Sequence, residues 1–102
     1  MAQVAILARV TVREGKAGQY LAALVPLLEQ ARKEPGTLLY AVHRSADDPQ
    51  MFWTTEIYAD QAAFAAHRAT EAHAAAEPAL TDLIATADVT TGETVMATSL
   101  DR

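Results

Sequence analysis

Residues 34–58, with the sequence EPGTLLYAVHRSADDPQMFWTTEIY, decide how this chain folds. Two runs within them, 37–45 and 51–58, are rich in leucine, aromatic and β-branched residues, a composition that is typical of strands. The segment between the runs, ADDPQ at 46–50, consists of turn-forming residues, because Asp side chains bond to nearby backbone N–H groups and Pro restricts φ. We therefore predict a β-hairpin.

Both faces of this hairpin are largely apolar. Since side chains alternate along a strand, one face would carry Tyr40, Phe52, Thr54, Glu56 and Tyr58. The opposite face would carry Leu39, Ala41, His43, Trp53 and Ile57. An antiparallel hairpin with one face in water should alternate clearly between polar and apolar residues. We therefore expect both faces to be covered.

The rest of the sequence predicts further strands and helices around the hairpin. Apolar periodicity predicts a strand at 4–12, a helix at 17–33, helices at 61–68 and 71–87, and a final strand at 89–98.

Single residues mark the ends and irregularities of these elements. Asp60 and Thr70 are the predicted N-caps of the two later helices, because their side-chain oxygens can accept backbone N–H bonds. Pro26 is expected to kink the first helix, and Pro78 to interrupt the last one. We expect a bend of the final strand near Gly92.

The order β-α-β-β-α-α-β predicts one α+β domain over residues 1–102, a ferredoxin-like split βαβ sandwich. In it a four-stranded antiparallel sheet has helices on one face, so the other face would be an apolar patch larger than monomers usually expose. A second copy of the chain would cover that patch. We predict a homodimer with these interface residues: Leu7, Leu39, Ala41, His43, Trp53 and Ile57.

The composition argues against several classes of partner. The 102 residues have a formal net charge of −5 and no cluster of Lys and Arg, which argues against nucleic acid. Cysteine is absent and the three histidines lack metal-site spacing, so we expect no metal. There is no apolar run of about 20 residues and no basic leader. We therefore expect a cytoplasmic protein with no membrane partner.

Three side chains are candidates for proton transfer. Glu56 lies mid-strand on the face assigned to the helices, where a carboxylate needs a partner. It either forms an ion pair with Arg44 or Arg68 or lines a pocket as an acid or base. His67 lies on a helix, either at the surface or in a pocket. His73 lies in the first helical turn, where the helix dipole favours a neutral imidazole, which acts as a base or simply packs.

Aromatic residues accompany these candidates. Tyr20, Tyr40, Phe52 and Tyr58, with Thr54, could line a pocket for a planar ligand, although aromatic residues at such spacings also form ordinary core. No nucleophile triad, paired carboxylates or phosphate loop is present. The residues by themselves therefore indicate a dimeric α+β domain without defining a reaction.

Two longer stretches, VTVREGKAGQYLAAL at 10–24 and EPGTLLYAVHRSADDPQMFWTTEIYADQAAFAAH at 34–67, resemble the antibiotic biosynthesis monooxygenase superfamily. The resemblance covers nearly the whole chain. It implies a dimeric α+β barrel in which the sheets of two subunits meet and each cavity lies between sheet and helices. It also implies that the oxidising members need no metal or flavin, because an electron-rich phenol or hydroquinone is deprotonated and its anion reduces O₂.

The resemblance narrows the choice among branches of the superfamily. Thr54 and Tyr58 stand where polyketide-oxidising members have Asn and Trp. Ala8, His67 and Glu77 stand where haem-degrading members have Asn, Trp and His, which disfavours haem degradation. The residue pattern of this chain is similar to that of the remaining branch, the quinol-monooxygenase-like one, which commonly has a histidine at the position of His67.

This branch implies a cofactor-independent monooxygenase of a small quinol-like or phenolic aromatic. His67 or His73 would be the base, Tyr58 and Thr54 would donate hydrogen bonds, and Glu56 would orient them. Two other functions fit the same scaffold. One is a non-catalytic ligand-binding or stress-response dimer, and the other is a polyketide-tailoring cyclase or isomerase that needs no oxygen.

Overall fold

A computed structural model describes residues 2–99 of the chain. Its elements are β1 (Val4–Val12), α1 (Ala17–Arg32), β2 (Thr37–Arg44), β3 (Met51–Tyr58), α2 (Gln61–Arg68), α3 (Glu71–Leu83) and β4 (Ile84–Glu93). The strands form one antiparallel sheet in the order β2-β3-β1-β4, with the predicted hairpin β2–β3 at one edge. The α+β fold predicted from the sequence, with a four-stranded sheet and helices on one face, is confirmed.

The boundary between the last helix and the last strand differs from the prediction. The helix ends at Leu83 instead of residue 87, and the strand covers Ile84–Glu93 instead of 89–98. The helix ends there because Arg13 binds its last carbonyls, with Nε donating to Asp82 O at 3.0 Å and the backbone N–H to Leu83 O at 2.9 Å. A contact between residues so distant in sequence left no local signal.

Two predicted irregularities are also wrong. Helix α3 continues through Pro78 as one element, because its Ala-rich flanks are strong helix formers. Gly92 pairs with Ala5 in the regular register of β4, and the register shift lies instead between Thr11 and Val12.

The N-caps at Asp60 and Thr70 are confirmed, and they place the two helices that carry histidines. Asp60 Oδ1 accepts the N–H of Ala63 at 2.8 Å, and Thr70 Oγ1 accepts the N–H of His73 at 3.2 Å. Two residues separate β3 from α2, and two residues separate α2 from α3.

The core lies between the helices and one face of the sheet, in two clusters. The larger cluster joins the sheet to α1 and α3 through Val10, Val12, Tyr20, Leu24, Leu27, Phe52, Ala76 and Leu83. The smaller cluster comprises Val4, Ile6 and Tyr58, with Ala63 and Phe64 of α2 packed against it. Between the clusters the same face carries polar residues, with Glu56 paired between Ile6 and Tyr40. This interruption of the core is where the candidate site lies.

The opposite face of the sheet, which we call the outer face, carries all six residues of the predicted interface. The register brings Leu39 beside Ile57, Ala41 beside Thr55 and His43 beside Trp53, while Leu7 also pairs with Thr55. The helices pack on the other side, so Leu7 remains 38% exposed. A groove of about 300 Å³ on this face is lined by Leu7, Arg9, Met51 and Trp53.

In residues 2–99, no helix combines the length and apolar character needed to cross a bilayer.

Candidate functional site

A buried histidine and a carboxylate form the centre of the site. His67, in the last turn of α2, is only 3% exposed, and its Nδ1 lies 2.8 Å from Glu34 Oε1. Glu34 also accepts hydrogen bonds from Thr37 Oγ1 at 2.6 Å and Gln30 Nε2 at 3.1 Å. Burial raises the pKa of Glu34, but the bonds from Thr37, His67 and Gln30 outweigh it, so the pKa lies below its usual value.

The Glu34 contact determines which nitrogen of His67 can take a proton. An ionised carboxylate only accepts hydrogen bonds, so Nδ1 of His67 must carry hydrogen and donate to Glu34. In the neutral imidazole the lone pair is then on Nε2. The ring is surrounded by aromatic groups, with centroid distances of 5.5 Å to Tyr40, 5.2 Å to Tyr58 and 5.7 Å to His73. The sequence left a surface position for His67 open, and the structure excludes it.

Glu56 lies beside this pair but is held by hydroxyl groups. Its Oε1 accepts a hydrogen bond from Tyr58 OH at 2.6 Å, and its Oε2 accepts one from Thr54 Oγ1 at 2.8 Å. The ion pair with Arg44 or Arg68 that we considered from the sequence is wrong. The guanidinium of Arg44 packs over Phe52 at 5.3 Å, and that of Arg68 over Phe64 at 5.8 Å.

The tyrosines around Glu56 remain protonated at neutral pH. Burial, and then the negative charge of Glu56, raises the pKa of Tyr20 to about 12. Burial and Glu56 also raise the pKa of Tyr40. For Tyr58, burial and the hydrogen bond to Glu56 raise the pKa further above its usual value. The phenolic O–H groups are thus fixed donors, and that of Tyr58 donates to Glu56.

His73 connects the centre of the site to the surface. Its ring meets the ring of His67 edge-on, and it lines a groove of about 370 Å³ between α3 and β4. Burial lowers the pKa of His73, and Arg68 and a protonated His67 would lower it further, against the opposing effect of Glu77 and Glu56. The sequence predicted a neutral imidazole from the helix dipole. In the structure, burial is the main reason that the pKa of His73 is lowered.

The structure brings most of the predicted site residues together. His67, His73, Tyr40 and Tyr58 are in ring contact, and Glu56 and Thr54 join them through Tyr58 and the shared strand face. The other two predicted substrate-binding residues, Tyr20 and Phe52, belong to the larger core cluster, and their rings pack 5.1 Å apart. A role for them in binding substrate stays a prediction.

Glu34 is the residue of the candidate site that sequence reasoning missed. Its partner His67 is 33 residues away, and the Pro and Gly that follow Glu34 gave it the appearance of a helix-terminating loop. A signal was available in Gln30 and Thr37, because they lie four residues before it and three residues after it, where their polar side chains can reach it.

Gly36 allows α2 to approach Glu34, and we expect its substitution to disturb the site. A Cβ at Gly36 would lie 2.5 Å from the Cβ of Ala63, so Gly36→Ala should displace α2 and destabilise the protein by about 1–3 kcal/mol. The matched control is Gly18→Ala in α1, where no atom lies within 4 Å of the new Cβ and helix propensity favours alanine. Urea unfolding compares the two, and equal midpoints would contradict the steric argument.

The arrangement is suited to moving a proton between the helices and the sheet. His67 supplies a nitrogen that can accept a proton, and Glu34 can stabilise the imidazolium that forms. Glu56, which the hydroxyls of Thr54 and Tyr58 hold in place, supplies a second polar group. Across residues 2–99, no three His, Asp or Glu side chains converge in a way that could hold a metal ion.

The chain is similar to known proteins in family and in fold. The family model described as "Antibiotic biosynthesis monooxygenase" matches residues 3–79. A crystal structure of a protein from Shewanella oneidensis is 29% identical, with 91% of each chain covered and a TM-score of 0.85. Among proteins of curated function, no match was found.

Two further structures carry the family name provisionally. The protein from Nitrosomonas europaea is 23% identical, with 95% of this chain and 94% of that chain covered and a TM-score of 0.88. The protein from Caulobacter crescentus is 24% identical, with 93% and 92% covered and a TM-score of 0.87. At these identities the two structures support the fold alone.

Proposed function

Because this chain belongs to the antibiotic biosynthesis monooxygenase family, we propose that it oxidises a small quinol-like or phenolic aromatic with O₂ and without a cofactor. The observation that carries the proposal is the buried His67, whose Nδ1 is held by Glu34 at 2.8 Å and whose ring contacts those of Tyr40 and Tyr58. Such a histidine is oriented to accept a proton through Nε2.

The first step is deprotonation of the substrate. Nε2 of His67 takes the proton of a substrate hydroxyl, and the carboxylate of Glu34 stabilises the imidazolium. Glu56 orients the substrate, because its carboxylate can accept a hydrogen bond from a second hydroxyl of a hydroquinone. Thr54 and Tyr58, which we expected to donate to the ligand, donate to Glu56 in the free protein and keep that carboxylate in place.

The second step is oxidation by O₂. The hydroquinone anion gives one electron to O₂, and the resulting radicals combine as a peroxide at a ring carbon. The O–O bond then breaks, so that one oxygen atom stays on the ring and the other leaves as water. One hydroquinone and one O₂ thereby give one hydroxyquinone and one water, and no external reductant is consumed.

An oxygen-electrode assay with a panel of hydroquinones tests the proposal. We expect O₂ uptake in a 1:1 ratio to hydroxyquinone, with one labelled atom incorporated from ¹⁸O₂. The combined variant His67→Ala/His73→Ala serves as the control for uncatalysed autoxidation. Absence of uptake across the panel, or the same rate with the double variant, would contradict the proposal.

Proton transfer without oxygen is the second candidate, and the placement of Glu56 favours it. A base at His67 and a separate carboxylate at Glu56, linked through Tyr58, could remove and return a proton at different carbons, as a cyclase or isomerase of polyketide-like substrates requires. Product formed under strict anaerobiosis would select this reaction. Tight binding of an aromatic ligand without any turnover would instead indicate a non-catalytic binding protein.

We further propose that the outer face of the sheet joins two copies of the chain. Leu7→Glu should convert a dimer to a monomer, because it places a charge in the middle of an apolar patch that a partner would bury. Val25→Glu, on the outer side of α1 and 48% exposed, is the matched control. Sedimentation equilibrium measures the mass, and a wild-type protein that is monomeric at micromolar concentration would contradict the proposed dimer.

A further inference from the structure

The candidate site contains two carboxylates whose local partners differ in kind. Glu34 accepts a hydrogen bond from the imidazole of His67, the one lining group that becomes a cation in the proposed reaction. Glu56 is held only by the neutral hydroxyls of Tyr58 and Thr54 among the residues that the structure describes. Both of its oxygens accept hydrogen bonds, and neither lies within an ion pair of the described residues.

Arginine side chains near the site do not compensate Glu56. Arg44 is exposed and packs over Phe52. Arg68 lies close enough to influence His73, but it is also exposed and packs over Phe64. Their charges are therefore screened by solvent, whereas Glu56 is partly buried beside Tyr58, which is fully buried.

The rest of the lining is neutral. The phenols of Tyr20, Tyr40 and Tyr58 stay protonated, because burial and Glu56 raise the pKa of each. His73 stays uncharged, because burial lowers its pKa. Besides His73, the groove is lined by Glu77, which is exposed, and by Leu, Ile, Ala and Thr residues, so it adds no cation.

From this arrangement of charges we infer that the substrate is an uncharged aromatic, a phenol or hydroquinone that carries no carboxylate, sulfate or phosphate group. A ligand anion beside Glu56 would face a like charge in a partly buried site, where electrostatic interactions are stronger than in water. The proton that creates the reactive anion leaves only after binding, to His67. The inference rests on the proposed function, because it specifies the substrate class of the same site.

Two hydroquinones of nearly equal shape provide the test, 2,5-dihydroxybenzamide and 2,5-dihydroxybenzoate. We expect calorimetry under anaerobic conditions to show that the wild-type protein binds the amide at least tenfold more tightly, about 1.4 kcal/mol. Glu56→Gln should bring the ratio below about threefold, since the amide side chain keeps the size and loses the charge. Glu29→Gln, at an exposed position of α1, should leave the ratio at its wild-type value.

The outcomes separate this inference from the proposed function. Equal or tighter binding of the benzoate by wild-type protein overturns the inference, and this comparison does not depend on the folding of any variant. An unchanged ratio in a folded Glu56→Gln protein also overturns it. O₂-dependent turnover of the benzoate at the rate of the amide would contradict the inference about substrate charge, but it would support the proposed monooxygenase activity. Preferential binding of the amide without turnover of any hydroquinone would contradict the monooxygenase and leave the charge preference. Binding of neither compound would overturn the inference, and O₂ uptake across the hydroquinone panel would then decide the proposed function separately.

Discussion

Replacing His67 by alanine is expected to lower kcat for O₂-dependent hydroquinone oxidation by about 10²–10⁴-fold, the usual contribution of a positioned general base. The reason is geometric, because Glu34 holds Nδ1 at 2.8 Å and leaves Nε2 as the acceptor. Stopped-flow measurement of hydroxyquinone formation, corrected for autoxidation, gives the rate. His67→Gln should be as inactive as His67→Ala, since its side-chain amide can donate to Glu34 but cannot take up a proton.

His73→Ala distinguishes the two histidines. His73 contacts His67 edge-on and lines the groove, but its described contacts include no carboxylate hydrogen bond like that of His67. We therefore expect its loss to cost about tenfold or less and to act mainly on KM. If His73→Ala proves the more damaging change, or if folded His67→Gln keeps the wild-type rate, the assignment of the base to His67 is wrong.

Local patterns were sufficient for most of the fold. The strand alternation in β1 and β3 and the capping residues Asp60 and Thr70 are encoded within a few residues. The end of α3 could not be read in this way. Residues 84–87 (IATA) suit a helix about as well as a strand, and Arg13 decides between them from across the domain.

The site likewise combines contacts that local sequence predicts with contacts between residues that are distant in sequence. Thr54, Glu56 and Tyr58 lie two residues apart on one strand, so a period of two places their side chains on one face, and the structure adds the hydrogen bonds from Thr54 and Tyr58 to Glu56. We placed Glu56 on the correct face but sought an arginine partner for it, although two hydroxyls on the same face were nearer. The bond of Glu34 to His67 depends on how the loop after α1 meets the end of α2, which no local spacing reports.

Glu34→Ala is expected to destabilise the protein by about 3 kcal/mol at pH 7. The Glu34 side chain is only 13% exposed and accepts bonds from His67, Thr37 and Gln30, and each buried donor left without a partner costs about 1–3 kcal/mol unless water reaches it. Glu34→Gln should cost less, because its carbonyl oxygen still accepts one of these bonds. Urea unfolding of the three proteins measures the difference.

The pH dependence of this stabilisation has a definite sign. The folded-state pKa of Glu34 is lowered from the ordinary value of 4.5, so the carboxylate stabilises the fold above that value. The contribution disappears as the pH falls through the folded-state pKa. Wild-type stability should therefore fall more steeply than that of Glu34→Gln below pH 4.5. Parallel curves for the two proteins would show that folding does not lower the pKa of Glu34.

Activity separates a positioning role of Glu34 from a purely structural one. In Glu34→Gln the imidazole keeps a hydrogen-bond acceptor, but the imidazolium formed in the reaction loses its negative partner. We expect kcat to fall by at least tenfold while KM changes little, and the acidic limb of the pH–rate profile to move to lower pH because protonated His67 is less stabilised. A loss of stability alone would lower the amount of active protein without moving that limb, so an unshifted profile in folded Glu34→Gln would assign Glu34 to the structure and not to the reaction.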